Sequence, residues 1–161
     1  MTIERPMFPP VDPTRRHLLT IAAGGAVAAM AGIPAAADAD PAFALIAAKL
    51  AADVAHCEAI DAQDDAERGD DPDALEEAFQ RCCVACGVVN EADWRLATTP
   101  PTTLAGVAAV LRFANEIEDG GMEWPDTDTI GPDGWHYQLR ATMAAAIEAL
   151  IEAQAGKAVR S

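Results

Sequence analysis

Four cysteines and one histidine are the residues whose types and spacing bear most on chemistry. His56 and Cys57 are adjacent, and Cys82-Cys83-Val84-Ala85-Cys86 holds the other three thiols. Cys82 and Cys86 stand four residues apart, so on a helix they project from one face and suit two ligands of a soft metal such as Zn²⁺ or Cu(I). If the two segments face each other, His56, Cys57, Cys82 and Cys86 form the candidate metal set. The same residues support two other readings. Cysteine on an apolar seam behaves as a small hydrophobe, and in an oxidising compartment Cys57 can bridge Cys82 or Cys86 as a disulfide. Cys82 and Cys86 themselves, one turn apart with near-parallel Cβ vectors, are poorly placed to bridge each other. Cys83 and Cys86 have C-x-x-C spacing, but no strand–helix alternation surrounds them, which weakens a thioredoxin-like reading. Core packing is the leading reading of the three.

The remaining candidates are thinner. His136 lies between Trp135 and Tyr137, close in sequence to Asp126, Asp128 and Asp133, and a carboxylate–imidazole pair there could move a proton. The stretch Asp126-Thr127-Asp128-Thr129-Ile130-Gly131-Pro132-Asp133 has alternate acidic residues like a calcium loop. It departs from the EF-hand pattern, because Ile130 and Tyr137 fall where the fifth and twelfth positions require oxygen ligands. No nucleophile with a partner base is evident, so no catalytic residue and no cofactor are expected. Trp94, Trp124 and Trp135 are the largest side chains, and Trp124-Pro125 is expected to anchor its loop on the core.

The elements that position these residues are helical. Hydrophobic residues make up 51% of the chain but aromatics only 5%, with alanine supplying much of the difference. Alanine favours helices and fills little core volume, and no usable run alternates as a half-buried strand does. Phe43, Ile46, Leu50, Val54, Cys57 and Ile60 recur at three- and four-residue steps, predicting a helix over about 41–68 with Asp40 as N-cap and Pro41 at its first position. Leu75, Phe79, Cys82, Cys86, Val89 and Leu96 predict a second over about 73–97, with Asp93 interrupting the seam. The short turn Gly69-Asp70-Asp71-Pro72 makes the two antiparallel neighbours. After the break at 98–103, Thr102 or Thr103 caps a third helix to about Asp119, with Leu104, Val107, Val110, Leu111, Ala114 and Ile117 on its apolar face. Gly106, one turn in, is expected to let another helix approach closely. Residues 120–134 read as a loop. A fourth helix follows to about Gly156, carrying Trp135, Leu139, Met143, Ile147 and Leu150. The expected fold is all-α and four-helix bundle-like, built from two antiparallel helical hairpins.

The amino terminus has a different character. Pro6, Pro9, Pro10 and Pro13 exclude a regular helix. Arg15-Arg16 then precede an apolar run from Ile21 to Ile33, and Ala-x-Ala options follow at 35–39. Basic, apolar and small-residue regions in that order are the parts of an export signal, and the run is too short to span a bilayer. Thr14-Arg15-Arg16-His17-Leu18-Leu19 resembles the twin-arginine signature, with Arg15, Arg16, Leu18 and Leu19 as the matching residues. Residues 1–39 are therefore expected to be a cleaved signal segment and 40–161 an acidic helical domain, periplasmic after export. The alternative is a cytoplasmic protein that retains the segment.

Together with that leader, the long acidic hairpin, Pro101-Thr102-Thr103-Leu104-Ala105-Gly106-Val107-Ala108-Ala109-Val110-Leu111-Arg112-Phe113 and Glu123-Trp124-Pro125 resemble a family of small alphaproteobacterial helical proteins. The resemblance implies an architecture and a source. It carries over no catalytic residue.

The formal net charge is −15 over 161 residues. Phosphate neutralisation needs clustered lysine and arginine, so nucleic acid is excluded as a partner, and anionic membrane surfaces are disfavoured for the same reason. The acidic balance reads first as a solubility device. Two function classes remain. One is a non-catalytic exported protein acting through contacts with a protein partner or with its own copies. The other is a periplasmic metal-binding or redox-active protein using the His/Cys set.

Overall fold

The computed structural model describes residues 40–125 and 128–158. Arg15, Arg16, Leu18 and Leu19 of the expected export signal lie outside the described residues. The described residues form an all-α, bundle-like fold of four helices: α1 (Pro41–Glu67), α2 (Pro72–Thr98), α3 (Leu104–Asp119) and α4 (Trp135–Ala158). Among them no helix is long and apolar enough to cross a membrane.

Local chemistry sets the helix ends. Asp71 accepts from the N–H groups of Asp73 and Ala74, with Pro72 at the first position of α2, where its missing N–H costs nothing. Asp40 does more. One carboxylate oxygen accepts from Ala42 N–H at 3.0 Å, capping α1. The other accepts from Thr102 N–H at 3.0 Å and from the Thr103 hydroxyl at 2.6 Å. Thr103 Oγ1 in turn accepts from Gly106 N–H at 2.9 Å, capping α3. One buried carboxylate thus ties the starts of two helices together. Gly106 permits this closeness: a Cβ there would fall within the Asp40 carboxylate. The partner that approaches Gly106 is therefore an N-cap side chain. At its other end α3 closes with Gly121 at φ 75°, and Met122 N–H reaches the Ile117 carbonyl while Gly121 N–H reaches that of Glu118. This is the Schellman arrangement, and it needs a residue without a Cβ in the left-handed region.

α1 and α2 form a long antiparallel hairpin. Its base, with α3, Trp124 and α4, encloses a core of Leu45, Leu96, Val107, Val110, Phe113, Ile117, Trp135, Leu139 and Met143, together with small residues. Beyond the base only two helices meet, and between residues 53 and 92 Ala78 alone is buried. Two helices cannot enclose a seam, so its remaining residues there are half-covered at best.

The faces differ from those read off the large side chains. On α1 the buried positions are Ala42, Leu45, Lys49 and Ala52, while Phe43, Ile46 and Leu50 are half-buried and Val54 and Cys57 are exposed. On α2 the seam runs through Leu75, Ala78, Cys82, Ala85, Val89 and Ala92, leaving Phe79 and Cys86 outside. Alanines at seven-residue steps (52, 59 and 66; 78, 85 and 92) account for the shift, because small residues bring two helices close while bulky ones are displaced to the flanks. Leu104 and Leu111 of α3 are likewise exposed, and Phe113 takes the core position.

Candidate functional site

The thiols lie in the distal, thinly covered part of the hairpin. Cys82 and His56 are half-buried, and Cys57, Cys83 and Cys86 are exposed. None of the four cysteines is in a disulfide. Burial, the neighbouring Cys83 and Cys86, and Asp64 across the hairpin all push the Cys82 thiol above its ordinary pKa. At neutral pH it is a protonated thiol and a poor nucleophile. Among the described residues no three His, Cys, Asp or Glu side chains are grouped to hold a metal ion. His56, Cys57, Cys82 and Cys86 are thus not gathered into a ligand set. The seam belongs to alanine, and Cys57 and Cys86 face outward from it.

His136 also differs in its surroundings. Its Nδ1 lies 3.8 Å from Glu118 Oε1 on α3, too far for a hydrogen bond, and its ring meets Trp135 edge-on. The carboxylate beside it comes from α3, whereas the sequence pointed to the loop aspartates. Asp128 and Asp133 are exposed, and Asp126 lies outside the described residues.

The hairpin base contains a polar cluster that the apolar pattern concealed. Lys49 and Asp93 are 6% and 4% exposed. The Lys49 ammonium donates to Asp53 one turn along α1 and lies 3.1 Å from Asp93 Oδ1 on α2. That second approach is off the line a hydrogen bond needs, so Asp93 Oδ1 has ionic attraction without a hydrogen bond. The Asp93 carboxyl is raised to about 6: burial pushes it up most, Asp53 adds to the rise, and Lys49 partly opposes both. The cluster is roofed by aromatic rings. Trp124 stacks on Trp135 with centroids 4.1 Å apart and planes at 7°, and Lys49 Nζ lies 5.9 Å from the Trp124 centroid. Trp135 Nε1 donates to the Asp93 carbonyl at 2.8 Å, joining α4 to α2. Trp124 anchors its loop as its size suggests. Asp93 was visible as a break in the seam, whereas Lys49 with Asp53 at i+4 reads as an ordinary exposed helix pair, and its approach to Asp93 spans 44 residues.

This cluster is buried. An exposed concave feature lies on one flank of the distal hairpin. A shallow groove of about 450 Å³ runs between α1 and α2, lined by Ala55, Ala59, Glu77, Gln80, Arg81, Val84 and Ala85. Val84 is 69% exposed, and Val88, one turn further, is 53% exposed. Helical spacing puts Glu77, Val84 and Glu91 along one edge of α2, and Ala51, Glu58 and Asp65 along the facing edge of α1. Arg81 pairs with Glu77 at 2.9 Å and Arg68 with Asp65 at 2.6 Å. The cysteines occupy the seam and the opposite flank.

Compared with known protein families, curated proteins and solved structures, the chain matches none. The fold and this geometry define an all-α module with a two-helix arm.

Proposed function

We propose that the protein is an exported, non-catalytic helical module that acts by binding another protein through the distal α1–α2 arm. One observation carries the reading: the arm displays Val54, Phe79, Val84 and Val88 to solvent over a stretch that no third helix covers. Exposed aliphatic side chains along a groove mark a contact surface more than a catalytic one. The buried Lys49–Asp93 cluster supports a structural role for the ionisable groups at the base. Export is supported by the Arg15-Arg16 leader and the small-residue exit after it.

The test is a scan with a photo-crosslinking amino acid placed singly at Ala55, Val84, Val88, Leu111 and Ile147, in cells that produce the chain. Adducts are expected from the arm positions 55, 84 and 88. Adducts confined to 111 and 147 would move the contact to α3 or α4, and a scan with no adduct anywhere would remove the contact reading. Sequencing the amino terminus of the recovered chain tests export, and a chain starting at Met1 would contradict it.

A further inference from the structure

We infer that the groove between α1 and α2 docks a basic amphipathic helix, whose apolar face covers Ala55, Ala59, Val84 and Val88 and whose cations meet the acidic rim. This inference rests on the contact reading above and names the partner's chemistry. The apolar floor alone would accept many occupants, and charge selects among them. Between residues 53 and 91 the chain has twelve carboxylates against two arginines, a net of −10 out of the formal −15 of the whole chain. Both arginines are already engaged, Arg68 with Asp65 and Arg81 with Glu77. Those pairs offset Asp65 and Glu77, so the uncompensated charge along the groove edges is that of Glu58 and Glu91, set there by helical spacing.

A second copy of the chain would bring like charges together along the groove, and that repulsion opposes association. An acidic or neutral helix gains only the apolar contact. A helix with leucines at three- and four-residue steps and lysines on its other side gains both, in the helix-in-groove mode. The floor suits this: alanines at 55, 59 and 85 leave room for the guest's larger side chains, and Val84 and Val88 supply ridges one turn apart.

The experiment titrates the purified full chain into fluorescein-labelled peptides of about 18 residues, roughly 27 Å long as helices. One has leucine and lysine at amphipathic spacing, the second replaces each lysine with glutamate, and the third scrambles the first. The lysine–leucine peptide is expected to bind, to weaken as salt rises, and to bind more tightly than the other two. Val84→Lys puts a cation into the groove lining and should weaken binding by about tenfold or more. Cys83→Lys makes the same charge change on the opposite flank and should leave affinity within about twofold. Both positions are exposed, and circular dichroism checks that both variants fold. Equal losses in the two variants would mean bulk charge attraction and overturn the groove, as would equal binding of the glutamate peptide or of the scramble. A dimer in sedimentation that Val84→Lys dissolves would assign the groove to a second copy and overturn the inference. If the peptide fails while crosslinks form at Ala55 and Val84, the contact reading stands and the basic-helix chemistry falls. If both fail, the contact reading falls with it.

Discussion

Asp40 and Asp93 are both buried carboxylates, and their surroundings push them in opposite directions. Burial alone would raise Asp40, but the Thr103 hydroxyl and the N–H groups of Ala42, Thr102 and Thr103 outweigh it and hold its pKa below the ordinary 3.8. Its contribution to stability is present above 3.8 and fades as pH falls through the lower folded value. Asp93 is raised to about 6, so the folded state binds the extra proton between 3.8 and about 6. The stability it confers is full below 3.8 and is lost as pH rises through 6. Urea unfolding of the wild type and Asp93→Asn from pH 4 to 7 should show the difference between them shrinking by on the order of 2 kcal/mol in the direction of wild-type weakening. A pH-independent difference would contradict the burial of an ionisable Asp93. At Gly106, alanine forces its Cβ into the Asp40 carboxylate and should cost roughly 1–3 kcal/mol, read as a lowered Tm. Replacing Asp40 by alanine should weaken the same junction, by about 2 kcal/mol, through the lost α1 cap and the lost hydrogen bonds from Thr102 and Thr103. Little change in either variant would show that the α1–α3 junction is held by other contacts.

The packing of α4 depends on Trp135, which is fully buried, stacks on Trp124 and donates to the Asp93 carbonyl. Trp135→Ala should cost roughly 3–5 kcal/mol in chemical denaturation. Val84→Lys in the arm should shift stability by less than about 0.5 kcal/mol, since nothing packs over Val84. The four helices were legible in the sequence to within one or two residues at most ends, because Asp40-Pro41 and Asp71-Pro72 are clear starts, Thr102 or Thr103 marks a third and Gly120-Gly121 opens the loop that ends it; the structure selects Thr103. Their faces were less legible. Large apolar residues suggested seams through Val54, Phe79 and Cys86, yet the close hairpin selects alanine at heptad steps and turns those side chains outward. The polar cluster was hidden for a different reason. Asp93 registers as an interruption, but the pairing of Lys49 with it and the ring over Lys49 are set by tertiary contact. The same rotation of α1 and α2 separates the His56, Cys57, Cys82 and Cys86 set that sequence spacing drew together.

Over the whole molecule, charge and packing are unevenly shared. The base has the large side chains, the Trp pair and the junction of four helices. The arm has most of the net charge and few buried residues. An element with few buried contacts opens locally at lower free energy than the core, so amides in 53–91 should exchange with solvent faster than those in 107–117 and 139–146. Export belongs to this scale too. Replacing Arg15 and Arg16 with lysine conserves charge, and under the twin-arginine proposal it should leave the chain uncleaved in the cytoplasm; undiminished export would contradict that route. The most direct test of contact through the arm is hydrogen exchange on the full chain with and without the lysine–leucine peptide. The account predicts slowed exchange in segments covering 55–62 and 77–88, with 107–117 and 139–146 unchanged. Protection centred on α3 or α4, or none at any position under saturating peptide, would contradict it.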